Sequence, residues 1–205
     1  MPKLILVRHG NTFEAGQTPT WVGGRTDMPL TATGEEQAQA IAKSITQLYA
    51  PISTIASGPL KRTRRVSEII ATATNTIFIV DERLTEIDFG KWENKSNQEI
   101  AALYGQEMLD DWNIRGLWPA EMNWVPSEDK LLKNVHNVLE EQHSKLLQPN
   151  AHHRVIVTSN GILRFVFSAV TGTKPSAEAK VGTGHYCVLE PTTEGWAIEK
   201  WNARP

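Results

Sequence analysis

The chain has 205 residues, of which 40% are hydrophobic and 21% charged, with a formal net charge of −2. This composition suits a globular chain with a sizeable core, and its charge gives no sign of a nucleic-acid or anionic-membrane partner. Cys187 is the only cysteine, which excludes an internal disulfide and a zinc cluster; the apolar run before Arg8 is too short for a signal peptide, and no stretch has the ~18 apolar residues of a membrane span. The expectation is a soluble cytoplasmic protein forming one domain over residues 1–205.

KLILV (3–7) is a short apolar run ending at Arg8-His9-Gly10 and predicts a buried strand. Residues 10 to 33 lack a period and carry several glycines and prolines, so they predict a loop. Thr33 with Glu36 is a capping-box pattern, and Ala38, Ile41, Ile45 and Leu48 give a helical stripe. ISTIA (52–56) predicts a second buried strand. Ser57-Gly58-Pro59 then opens a helix with proline in its first turn. TIFIV (76–80) is a third strand candidate. Ser96 with Glu99 is another capping box, starting a helix to about Leu109.

The segment 105–126 shows no clear period and carries Trp112, Trp118 and Trp124. Leu131, Val135, Val138 and Leu146 mark a longer helix. RVIVT (154–158) predicts a strand running into the helix GILRFVFSAVTG (161–172). HYCVLE (185–190) and WAIEKW (196–201) predict a terminal hairpin. Strands alternating with helices imply a three-layer α/β/α sandwich with a mainly parallel sheet.

In such sheets ligands bind beyond the carboxyl ends of the strands. Three segments fall there: Arg8-His9-Gly10, residues 57–62, and Thr158-Ser159-Asn160-Gly161. Their convergence would gather Arg8, Arg62, His9 and two helix N-termini, a set that favours phosphate. Each piece also has a plain reading. A histidine after a strand is usually structural, Glu86 alone would be a surface carboxylate, and most of the run 61–65 would be a solvated helix face. The tryptophans read as packing, although a long aperiodic segment can also cover a pocket.

The pieces LILVRHGNT, GGRTDMPLTATGEEQA, SGPLKRT, LTEIDFGKWENKS and VIVTSNGILR resemble, in order, the histidine phosphatase superfamily, which includes the cofactor-dependent phosphoglycerate mutases. The resemblance covers nearly the whole chain, and LTEIDFGKWE is more similar to the phosphatase branch than to the glycolytic mutases. It implies that His9 accepts the phosphoryl group, Arg8 and Arg62 clamp it, and Glu86 donates the proton. Asn11, Thr12 and Arg25 would line the same pocket with Asn160, while Gly34 and Gln37 look structural. No metal or other cofactor is implied, and the partner is a phosphorylated small molecule.

One departure stands out. Where the family has its second histidine, this chain has Ser159, which would keep a hydrogen-bond donor to the substrate but lose a possible charge. The implied activity is a phosphomonoesterase running through phosphohistidine at a reduced rate. Two rivals share the same observation: a non-catalytic phospholigand-binding member of the family, and a serine hydrolase whose nucleophile elbow would lack its first glycine. His185, at the start of the hairpin, is a candidate to replace the missing imidazole or else a surface residue.

Overall fold

The computed structural model describes residues 1–205. Three predicted apolar runs are strands: β1 (Leu4–Arg8), β2 (Ile52–Ser57), and, after a helix α1 (Ala32–Tyr49) and a helix α2 (Lys61–Thr74), the short β3 (Phe78–Val80). The capping box at Ser96 is present and starts α3 (Asn97–Tyr104). This helix stops at Gly105, with φ of 90°, and a short α4 (Gln106–Asp110) and a π-helical turn (Asp111–Arg115) follow. The single helix expected to about Leu109 is therefore split, because glycine permits a backbone turn that other residues resist. Next come α5 (Glu128–Leu146), β4 (His153–Thr158), α6 (Asn160–Thr171), β5 (Tyr186–Thr192) and β6 (Gly195–Ala203).

Two helix starts differ from expectation. Helix α1 is capped by Thr31, whose Oγ1 accepts from the Gly34 N–H at 3.1 Å, rather than by Thr33. Thr31 wins because its own N–H and hydroxyl are both anchored on the Asn11 carbonyl. Helix α2 begins at Lys61, after Pro59, and its first N–H donates to Asp27 Oδ1 at 2.7 Å.

The six strands lie in the order β3-β2-β4-β1-β5-β6. The first four run parallel, while β5 and β6 form the antiparallel hairpin at one edge. Side-chain alternation divides the core between the two faces of the sheet. Ile5, Val7, Ile55, Val155 and Val157 pack under α1 and α2, whereas Leu4, Leu6 and Ile156 pack with Leu139 of α5 and Phe165 of α6. This is the expected sandwich. No helix is long and apolar enough to cross a membrane.

An aromatic cluster joins the aperiodic segment to the loop before α1. Trp124 meets Trp92 at 5.2 Å, Trp112 at 4.9 Å and Trp118 at 5.0 Å between ring centroids, and Trp21 meets Trp92 at 4.9 Å. Trp112 and Trp124 are buried. The segment 105–126 is thus anchored by packing, as its tryptophans suggested.

Candidate active site

The chain crosses the sheet so that β1 and β4 lie side by side in the middle, and their carboxyl ends open on one cavity of about 630 Å³. Arg8 and His9 at the end of β1, Arg62 of α2, Glu86, and Asn160 and Gly161 at the start of α6 all line it. Asn11 and Thr12 line it as well. Convergence of the three strand ends is therefore found.

His9 is 6% exposed, and its Nδ1 lies 2.8 Å from the Gly10 carbonyl oxygen. A carbonyl only accepts, so Nδ1 carries the proton and the Nε2 lone pair is left free. Burial, with the charges of Arg62 and Arg8 added to it, holds the imidazole pKa well below 6.5. The ring is neutral at physiological pH and able to act as a nucleophile.

Arg62 is fully buried and donates to the carbonyls of Thr26 at 2.9 Å and Gly23 at 3.1 Å. Arg8 donates through Nη1 to the Val181 carbonyl. The Nε atoms of both arginines are buried without a partner. Desolvation lowers both guanidinium pKa values, Arg8 to about 10, while Glu86 acts in the opposite sense on each. Both remain cations at neutral pH.

Glu86 is 6% exposed, and desolvation raises its pKa against the pull of the Gly161 and Ile87 N–H groups and of Arg62 and Arg8. Those N–H groups reach Oε2 and Oε1 at 3.0 Å and 2.9 Å. A carboxyl that holds its proton longer than usual beside two arginines is suited to general-acid work. The two helix starts expected to hold an anion are partly occupied: Gly161 N–H serves Glu86, and Lys61 N–H serves Asp27. The free positive charge is supplied by arginine side chains.

Two expectations fail on geometry, and at a third position the plainer of two readings holds. Arg25 lies outside the cavity, paired with Asp88 at 2.9 Å and bonded to the Gly90 carbonyl, with a largely exposed side chain. The carboxylate two residues past Glu86 claims it. Ser159 is 1% exposed and does not line the cavity; its Oγ has no hydrogen-bond partner. It has no histidine partner, so the serine-hydrolase constellation is not assembled. His185 stands outside the cavity, its Nδ1 2.7 Å from Asn202 Oδ1. Of its two readings, the residue outside the site is the one that holds.

Gly10 approaches Gly34 closely: a side chain at residue 10 would begin 2.5 Å from the Gly34 carbonyl oxygen. Gln37 accepts from the Asn11 N–H at 2.8 Å, and Asn11 Oδ1 accepts from Thr183. These contacts seat the loop after β1 on helix α1.

The sequence profile of the histidine phosphatase superfamily (branch 1) matches residues 4–204. The chain belongs to the histidine phosphatase superfamily. A probable phosphoglycerate mutase GpmB of Proteus mirabilis is 33% identical over 207 residues, 97% of this chain and 92% of that protein. The corresponding Escherichia fergusonii protein is 30% identical over 210 residues, with the same coverages. Among solved structures, mycobacterial glucosyl-3-phosphoglycerate phosphatase superposes with a TM-score of 0.81 at 21% identity, covering 99% of this chain and 100% of that one. Entamoeba histolytica phosphoserine phosphatase gives 0.78 at 21% identity, covering 98% and 97%. These likenesses show the fold. The curated relatives carry the name of mutases, where the sequence motifs favoured the phosphatase branch.

A histidine phosphatase cavity of this shape also holds residues that the motifs did not single out. Arg164, Trp21, Phe89, Trp112, Asn113 and Thr183 all line it. For Arg164 the signal was present in the sequence: one cation inside the apolar helix GILRFVF.

Proposed function

We propose that the protein is a phosphomonoesterase that hydrolyses a phosphorylated small molecule through a phosphohistidine on His9, with residues 1–205 as one catalytic domain. The observation that carries this reading is the pairing, in one cavity, of a neutral His9 whose Nδ1–H is held by Gly10 with a buried Glu86 carboxyl. Simple binding of phosphate requires neither.

In the first step His9 Nε2 attacks phosphorus in line, and the bond to the alcohol oxygen breaks. Glu86 gives its proton to that oxygen as it leaves. The ring's new positive charge is shared through Nδ1–H with the Gly10 carbonyl. Arg8 and Arg62, cationic and rigidly placed, carry the charge of the equatorial oxygens. In the second step the Glu86 carboxylate takes a proton from water, the resulting hydroxide attacks phosphorus, and His9 is released with free phosphate.

Ser159 stands where the family carries a second histidine. Its hydroxyl is buried, unpartnered and not among the groups lining the cavity, so a donor is missing from that wall. Loss of one preorganised donor costs about 10²–10³ in rate. A slow enzyme is the expectation.

The test is a screen of phosphate monoesters with wild type beside His9→Ala, with acid-quenched protein assayed for bound phosphate. An acid-labile, alkali-stable label that His9→Ala lacks supports the reading. Turnover without such a label overturns it. Binding of phosphate esters with neither label nor turnover would establish a phospholigand-binding protein. Passage of the label to an alcohol acceptor would establish a transferase, the reaction for which the curated relatives are named.

A further inference from the structure

We propose that Arg164 forms a second anion-binding point in the same cavity, so that the alcohol part of the substrate carries a carboxylate or a second phosphate. This rests on the phosphomonoesterase reading and names its substrate class.

Arg164 is 1% exposed yet reaches the cavity wall. Its Nε donates to the Pro175 carbonyl at 2.8 Å and its Nη2 to the Trp112 carbonyl at 2.6 Å, with the guanidinium 3.9 Å over the Trp112 ring. These contacts fix the plane of the group but bring no carboxylate to it. Arg164 takes part in no ion pair, and its Nη1 has no hydrogen bond within the chain. Burial holds its pKa to about 10, so it stays charged at neutral pH. Glu86 acts on it only from beyond ion-pair distance, so a buried cation is left without a carboxylate in contact, and a bound anion would supply one.

Its immediate surroundings add further donors. Asn113 lines the cavity, and its Oδ1 accepts from Lys180 Nζ at 3.2 Å, which leaves the Asn113 amide N–H groups to donate. The position of Arg164 separates it from the phosphate clamp. Arg8 stands at the end of β1 and Arg62 in the first turn of α2, whereas Arg164 stands in α6, held by the Pro175 and Trp112 carbonyls. It lies one turn of α6 beyond Gly161, whose N–H holds Glu86. A substrate with phosphorus at His9 and its leaving oxygen at Glu86 therefore extends its far end toward Arg164. The cavity, at about 630 Å³, has room for more than a phosphate group.

The experiment uses His9→Ala protein, which binds without turnover, and calorimetric titration with alkyl phosphates of roughly three to six carbons. Each chain length is supplied ending in a hydroxyl, a carboxylate or a second phosphate, with inorganic phosphate as reference. The expected result is that one anionic series binds at least about tenfold tighter than its hydroxyl counterpart, which identifies the anion. Adding Arg164→Gln should shrink that preference below about threefold, and adding Asn113→Leu should reduce it while sparing the Pro175 and Trp112 contacts that help the fold. Equal binding of all three series, with inorganic phosphate still bound, overturns the second anion point and leaves the phosphatase reading standing. Selectivity that survives in the folded double variants overturns the assignment to Arg164. Failure of inorganic phosphate and every ester to bind counts against the phosphatase reading itself.

Discussion

The backbone N–H of Gly161 donates to Glu86 Oε2 at 3.0 Å, and a side chain at residue 161 would begin 2.2 Å from Oε1 of the same carboxyl. The glycine is thus a condition for the acid's position. Alanine in a helix interior is worth about 1 kcal/mol over glycine, but here it must displace a buried carboxyl. Gly161→Ala should lower kcat/KM on alkyl phosphates by at least about tenfold, a loss of ~1.4 kcal/mol in transition-state binding. Steady-state assays on the purified variant decide it, and an unchanged value would show that Glu86 has no fixed role.

Glu86→Gln should hurt poor leaving groups most, because an activated aryl phosphate needs little protonation as it departs. Paired assays on an alkyl phosphate and nitrophenyl phosphate read the difference. Equal losses in the dephosphorylation of substrate would remove Glu86 as the acid.

Arg62→Lys should reduce catalytic efficiency by at least about tenfold, since a point charge cannot reproduce a planar fork. The same change removes bonds to the carbonyls of Thr26 and Gly23, so the Tm should fall as well. Arg65→Lys is the control. Its pairs with Glu35 and Glu68 are half-exposed, and such pairs contribute little. Equal effects in both variants would contradict the placement of Arg62.

The pKa of His9 is depressed in the folded chain, against about 6.5 when unfolded. Below about pH 6.5 the unfolded state binds a proton that the folded state refuses, so stability falls as pH drops through that value. Glu86 works in the opposite direction, because its raised pKa lets the folded state hold a proton above the ordinary carboxylate range. His153 is depressed by burial too, so the share of His9 is read by difference. Urea unfolding of wild type and His9→Gln between about pH 7 and 5.5 should show a shallower decline in the variant. Imidazole ¹⁵N shifts should report a neutral Nδ1–H ring at about pH 6.

Ser159→Ala should keep stability or raise it, since an unsatisfied buried hydroxyl costs about 1–3 kcal/mol. Turnover should change by less than about threefold. A tenfold loss would show the hydroxyl reaching the phosphoryl group during the reaction.

Strand ends were the most legible part of this chain. LILV, ISTIA and RVIVT are apolar runs long enough to be strands and too short to be helices, and the segment after each brings at least one residue to the cavity: His9, Arg62 and Asn160. Arg62 was separable from its neighbours because the first turn of a helix after a strand faces the sheet's carboxyl edge. The failures depended on distant partners. Nothing near Arg25 announces Asp88, which comes 63 residues later, and nothing near Arg164 announces the Trp112 and Pro175 carbonyls that hold it. The break at Gly105 is a choice between an interrupted and a continuous helix that local propensity does not resolve.

The chain of indoles from Trp21 through Trp92 and Trp124 to Trp112 begins and ends on the cavity wall. Rings at such separations exchange excitation, so light absorbed anywhere along the chain is emitted under the influence of its two wall members. A ligand seated beside Trp21 or Trp112 is expected to alter the emission of the whole group. Rapid-mixing fluorescence of unlabelled protein should therefore change when phosphate or a phosphate ester is added.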